Sequence, residues 1–296
     1  MKKVAVLGAG KMGAGIAQVA AQGGYNVVLR DLQTSLVKDG LRLIEKNLDK
    51  AIKAQLMEAP GKEEILRRIE GTTDLTNVRD ADLVIESVVE NMAVKKQLFA
   101  ELDNICAPHA ILATNTSSLS INEIASATQR TDRVMGMHFH NPVPYIKLVE
   151  LIRGLETSEA TLADAQEFTR QIDKVFVVAQ RESPGFIFNR VLIPYLNEAI
   201  FVLSEGIADR DGIDNALKLG AGMPLGPLEM ADLMGLDILY SVTVAFYEEF
   251  RDPKYRPPVY LSTMVRAGHL GKKSGKGFYD YENGKKVNSS GNNANT

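Results

Sequence analysis

His138 and His140 stand two residues apart, and Glu150 follows inside an apolar run, residues 147–152. Histidine titrates near working pH, so an imidazole suits the removal of a hydroxyl proton during oxidation of an alcohol. The sequence has four histidines. His109 lies in a proline-containing turn and His269 near the C-terminal glycines, and both read as surface residues. His138 and His140 close a predicted strand, where alternation puts them on one face. That end is the carboxyl edge at which α/β sheets bind ligands. Either ring is a candidate base. Glu150 needs a partner because desolvating a lone carboxylate is costly, and an imidazole would supply one. The plainer alternative makes His138 a hydrogen-bonded packing residue and turns Glu150 to water.

Gly8-Ala9-Gly10-Lys11-Met12-Gly13 fits GxGxxG between a predicted strand and a predicted helix. In that context Gly8 makes the tight turn, Gly10 lets backbone approach a pyrophosphate and Gly13 permits close helix packing. Asp31 ends the next strand, where a carboxylate accepts ribose hydroxyls and repels a 2′-phosphate, favouring NAD. Arg30 beside it keeps NADP as an alternative. A glycine turn with a surface aspartate is the reading without chemistry.

Asn115-Thr116-Ser117-Ser118 also follows a strand, which puts its amide and hydroxyls on the carboxyl edge and makes Asn115 a candidate cofactor contact, with a simple helix cap as the alternative. Ser120 and Glu123 fit a capping box for the next helix, leaving Ser117 uncommitted. Lys46, Lys50 and Lys53 share one helix face, either solvated or holding a ligand phosphate. The run Gly271-Lys272-Lys273-Ser274-Gly275-Lys276-Gly277 lacks the spacing of a phosphate loop and reads as a basic turn.

The elements that must position these residues are short apolar strands alternating with helices, the pattern of an α/β, doubly wound, Rossmann-like parallel sheet. Strands are expected at 3–7, 26–30, 83–86, 111–114 and 133–138, and at 147–152 and 174–178 along the far edge. Helices at 35 to about 57 and at 62–69 form a helical hairpin inserted in the sheet's connections. After Glu182-Ser183-Pro184-Gly185 the chain reads helical. The expected division is a dinucleotide-binding domain at 1–183, an all-α substrate and dimerisation domain at 184–281 and a flexible tail at 282–296. The helix from about 186 to 204 is apolar on most sides, with Pro194 inside it, and suggests a homodimer interface around Phe186, Val191 and Phe201.

Composition narrows the classes. The chain has 296 residues, 45% hydrophobic, with net charge −3. No bulk positive field exists to hold nucleic acid or an anionic membrane. The N-terminal apolar stretch is broken by glycines, Lys11 and polar residues, which argues against a signal or membrane span. One cysteine, Cys106, forms no internal disulfide and no multi-cysteine metal site, so the expected compartment is the cytoplasm and no metal ligands are assigned.

The glycine motif, Asn115-Thr116-Ser117-Ser118, Gly136-Met137-His138-Phe139-His140-Asn141-Pro142, Lys147-Leu148-Val149-Glu150 and Lys273-Ser274-Gly275-Lys276-Gly277-Phe278-Tyr279 together resemble the L-3-hydroxyacyl-CoA dehydrogenase family. The resemblance spans residues 1 to about 281. It implies interconversion of (S)-3-hydroxyacyl-CoA, of short chain such as 3-hydroxybutanoyl-CoA, and 3-oxoacyl-CoA. It aligns the catalytic histidine with His138 and its glutamate with Glu150, and puts Ser117 and Asn189 at the substrate oxygen. It places Asp31, Glu90, Lys95, Ser117 and Asn141 at cofactor positions and Lys50 and Lys53, with Ser117, toward the acyl-CoA. His140 departs from the phenylalanine expected there. Two further classes are a β-hydroxyacid dehydrogenase with a lysine base and a dinucleotide-binding protein without turnover.

Overall fold

Residues 4–7 and 83–85 are fully withdrawn from water, and 27–29 almost so. Continuous apolar runs of this kind belong to strands covered on both faces. The computed structural model describes residues 1–287 and divides into two units, the first Met1–Phe186. In it β1 (Lys3–Leu7), α1 (Lys11–Gln22), β2 (Asn26–Arg30), α2 (Thr34–Lys53), α3 (Ala59–Arg67) and β3 (Ile69–Thr72) are followed by β4 (Leu83–Glu86), α4 (Met92–Ile105), β5 (Ile111–Thr114), α5 (Ile121–Ala125), β6 (Val134–Phe139), β7 (Leu148–Arg153), α6 (Glu159–Gln171) and β8 (Val175–Ala179). The strand order is β3-β2-β1-β4-β5-β6-β7-β8. The chain leaves β1 in one direction and returns at β4 on its other side, which opens a crevice beyond the carboxyl ends of these two strands.

The sheet is parallel from β3 to β6, but β7 pairs antiparallel with β6, and β8 runs parallel with β7. The far edge is therefore reversed relative to a wholly parallel sheet. Residues 140–147 are too short for the dozen or more residues that a parallel crossover needs. α2 and α3 form the inserted hairpin, with Ile44 and Leu48 fully buried. Lys62 ties the two helices by reaching Glu45 at 3.2 Å and Asp49 at 2.6 Å. The expected helix end at Ile69 is corrected: Ile69 opens β3, paired with Val27.

The second unit starts at Ile187 and holds α7 (Phe188–Ser204), α8 (Arg210–Ala221), α9 (Pro227–Met234), α10 (Leu236–Phe250) and α11 (Val259–Arg266). Pro194 sits inside α7 without ending it. The unit is helical but not wholly so. Strands β9 (Tyr281–Glu282) and β10 (Lys285–Lys286) form an antiparallel hairpin where a tail was expected. The remainder of that expected tail, 288–296, lies outside the described residues.

Buried carboxylates organise this unit. Asp214 accepts the backbone N–H groups of Leu228 and Glu229 at 2.8 and 3.0 Å, capping α9. Asp232 accepts those of Phe278 and Tyr279, both at 2.9 Å. Burial nevertheless pushes the Asp232 carboxyl above the usual carboxylate range. No single helix among the described residues is long and apolar enough to cross a membrane.

Candidate active site

Antiparallel pairing puts His138 directly opposite Glu150. Side chains opposite one another share a face of the sheet, and Nδ1 of His138 lies 2.7 Å from Oε2 of Glu150. The carboxylate is fully buried, and the His138 side chain is 9% exposed, so the pair meets solvent through the ring alone. His140 brings Nε2 to 3.3 Å from the same oxygen. The two rings are 4.4 Å apart, and Phe186 stands edge-on to His138 at 5.8 Å. A carboxylate only accepts, so the contact assigns the proton of His138 to Nδ1 and leaves Nε2 with a lone pair.

The connection 140–147 is held from below. Lys174, buried, donates through Nζ to the carbonyls of Val143 at 2.6 Å and Ile146 at 2.8 Å. Burial pushes its ammonium down to about 8. Asn141 begins this connection, exposed and followed by a cis peptide bond to Pro142. Asn115 accepts the Phe139 N–H at 2.8 Å and donates to Ser87 Oγ at 3.3 Å, which fastens the end of β6 to β5.

At the first strand–helix turn, Gly8 has φ +100°, and a Cβ on Gly13 would stand 1.8 Å from the Gly8 carbonyl oxygen. Gly10 differs: a Cβ there would meet no atom of the chain within 4 Å. It precedes α1, whose first turn, with Lys11 and Met12, has neither a side-chain cap nor an acidic residue. Open space before uncapped N–H groups fits a diphosphate. Asp31 Oδ2 accepts the Ala9 N–H at 2.7 Å and Oδ1 that of Leu32 at 2.6 Å. Each oxygen keeps a lone pair for a ribose hydroxyl. Arg30 directs Nε to the Thr73 carbonyl at 3.3 Å.

Glu86, a residue the sequence reading passed over, organises the next wall. It is fully buried at the end of β4 and is bonded to Lys95 Nζ at 2.6 Å, Thr114 Oγ1 at 2.7 Å and the Val88 N–H at 2.8 Å. Lys95 is 1% exposed and also reaches Glu90 at 3.2 Å. Its ammonium is thus turned inward, and Glu90 is what it presents to the crevice. Glu90 in turn accepts from Thr116 and, at 3.3 Å, from Ser118. Ser117, half-buried between them, has no hydrogen-bond partner for its hydroxyl among the described residues. Ser120 caps α5 by accepting from the Glu123 N–H. Glu86 carried a signal like that of Glu150, an acid joined to an apolar run, here closing it where Glu150 interrupts one, and was legible on that ground.

Other expected residues lie on helices. Lys46, Lys50 and Lys53 are exposed on α2, and Asn189 is half-buried in the first turn of α7 in the second unit. Phe186, expected at a subunit interface, is instead 6% exposed within the first unit, whereas Val191 is 69% exposed.

The model described as 3-hydroxyacyl-CoA dehydrogenase, NAD binding domain, matches residues 3–183. That of the same family's C-terminal domain matches 185–281. The 3-hydroxybutyryl-CoA dehydrogenase of Clostridioides difficile is 48% identical over 280 residues, 94% of this chain and 99% of its own. The mitochondrial hydroxyacyl-coenzyme A dehydrogenase of Homo sapiens is 43% identical over 289 residues, 95% of this chain and 92% of its own. The crystal structure of (S)-3-hydroxybutyryl-CoA dehydrogenase from Ralstonia eutropha has a TM-score of 0.92 at 44% identity, covering 95% of this chain and 99% of its own.

Removing one partner of a buried ion pair strands the other. Lys95→Met should therefore lower the unfolding free energy by about 3–5 kcal/mol in urea titration. Lys96→Met, which breaks a solvent-exposed contact with Glu123 at 3.5 Å, should change it by less than about 1 kcal/mol. Equal effects would mean that the Glu86–Lys95 contact is not the anchor of this wall.

Proposed function

Because the chain belongs to the 3-hydroxyacyl-CoA dehydrogenase family, we propose that it interconverts (S)-3-hydroxybutanoyl-CoA and its 3-oxo counterpart with NAD, using His138 and Glu150 as the acid/base pair. The 2.7 Å contact between these two side chains carries the reading. With Nδ1–H given to Glu150, Nε2 is the atom that takes the 3-hydroxyl proton in oxidation and returns it in reduction. Glu150 holds the ring in that tautomer and offsets the positive charge formed on it, as a buried carboxylate does behind other catalytic histidines. Ser117 hydrogen-bonds the substrate oxygen as its charge changes.

A bound nicotinamide supplies the hydride acceptor or donor. Gly8, Gly10 and Gly13, with Lys11 and Met12, make room for its diphosphate. Asp31 takes the adenosine ribose, while Glu90, Asn115, Ser117 and Asn141 line the far side, and Lys95, expected among them, acts from behind by holding Glu90. Asp31 favours NAD over NADP because its carboxylate repels a 2′-phosphate. Lys50 and Lys53 attract the phosphates of coenzyme A. The exposed apolar side chains Val191, Leu219 and Val259 of the helical unit support a homodimer through that unit. The single cysteine, a buried free thiol, suits a reducing compartment such as the cytoplasm.

NADH oxidation with acetoacetyl-CoA tests the assignment, and no turnover would leave a dinucleotide-binding protein without catalysis. His138→Gln should lower kcat at least about a hundredfold. Unchanged turnover in that variant, with loss in His140→Phe, would reassign the base. Replacing Lys50 and Lys53 with Ala should raise KM for the thioester and weaken its salt dependence, with NADH affinity nearly constant. An unchanged KM would return both lysines to a solvated face. Sedimentation at micromolar concentration should show a dimer, and a monomer there would refute that interface.

A further inference from the structure

We propose that His138, His140 and Glu150 also form a binding site for a divalent transition cation. They are the one group of three or more histidine, cysteine or acidic residues among the described residues whose ligand atoms all lie within 4.8 Å of one another. Strand geometry makes the convergence: residues two apart share a face, and the cross-strand neighbour of the first shares it too. Zinc bonds nitrogen and carboxylate oxygen at about 2.0–2.2 Å, so adjacent ligands of a tetrahedral ion stand roughly 3.3–3.5 Å apart. His140 Nε2 and Glu150 Oε2 are separated by 3.3 Å. His138 Nδ1 lies 2.7 Å from the same oxygen; a neutral imidazole carries one N–H and one lone pair, so binding through Nδ1 moves the ring proton to Nε2, opens the pair by about half an ångström and completes a facial set. Two imidazoles and one carboxylate suit zinc, iron, nickel or copper and leave an open coordination position. Glu150 is fully buried, and the histidine side chains, 9% and 13% exposed, leave a narrow approach from solvent.

Occupancy has a consequence that rests on the proposed function: an ion on His138 and Glu150 removes the base, so the metal excludes turnover. Binding is measured independently of activity. Titration of the chelator-treated protein with Co2+, followed by visible ligand-field absorption, should show one site per chain, and Zn2+ should displace the signal in calorimetric competition. His140→Phe should weaken affinity at least about a hundredfold, the upper end of what loss of a supporting contact does at metal sites. His140→Asn serves as a second variant, with cooperative thermal unfolding as the check on folding. His109→Asn, at an exposed histidine paired with Asp82, should leave affinity unchanged. In steady state Zn2+ should inhibit competitively against acetoacetyl-CoA and be reversed by EDTA. Absence of a single site, or affinity unchanged from the wild-type protein in both folded His140 variants, overturns the proposal. Binding that both His140 variants abolish, with turnover untouched by Zn2+, upholds the site and removes His138 from the role of base.

Discussion

The position of Glu150 depends on one reversal of chain direction. A carboxylate without access to water must be paired or hydrogen-bonded, and the antiparallel return of β7 along β6 puts His138 straight across from it. The short connection 140–147 imposes that direction, and Lys174 holds it by binding two of its carbonyls. Lys174 is itself shifted by burial, a cost that the fold carries next to the candidate site. Strained or desolvated groups of this kind collect where side chains are kept for chemistry rather than for packing.

The same construction recurs one strand pair away. Glu86 is buried at the end of β4 and satisfied by Lys95, Thr114 and the backbone of Val88. It passes order outward through Lys95 to Glu90, and from there to Thr116 and Ser118. Ser117 is thus carried on a segment whose neighbours on both sides are bonded, while its own hydroxyl keeps its donor and acceptor capacity. Groups supported in this way from rigid strands hold their geometry better than groups on unsupported loops. Oxidation or reduction of a hydroxyacyl group needs that precision, because small displacements of reacting groups are costly in rate.

The helical unit is organised by acids too, toward a structural end. Asp214 caps α9 and accepts the Tyr279 hydroxyl at 2.9 Å, and Asp232 gathers the backbone of residues 278 and 279. The basic glycine-rich turn before Phe278 is accordingly part of the packing of this unit. Lys273 within it pairs with Asp237 at 2.5 Å.

Much was readable without coordinates because two periods dominate this chain. Residues 3–7, 11–22 and 26–30 declare strand, helix and strand, since one buried surface or one glycine turn governs each. Asp31 follows as the acid after the second strand, and His138 and His140 fall on one face by alternation alone. β3 was illegible because Ile69-Glu70-Gly71-Thr72 carries neither period, and Ile69 mimics the end of a helix. The hairpin at 281–286 was hidden by its polar composition, since its stability comes from partners such as Glu229, which Lys286 reaches at 2.8 Å. Residue types, their spacing and the strand faces were thus determined locally, by steric and hydrophobic rules acting over a few positions. Which strands run against each other, which acid meets which base across them, and that Lys95 turns inward were decided only in the folded chain. Those are contacts between residues far apart in sequence, selected by the demand that every buried charge find a partner.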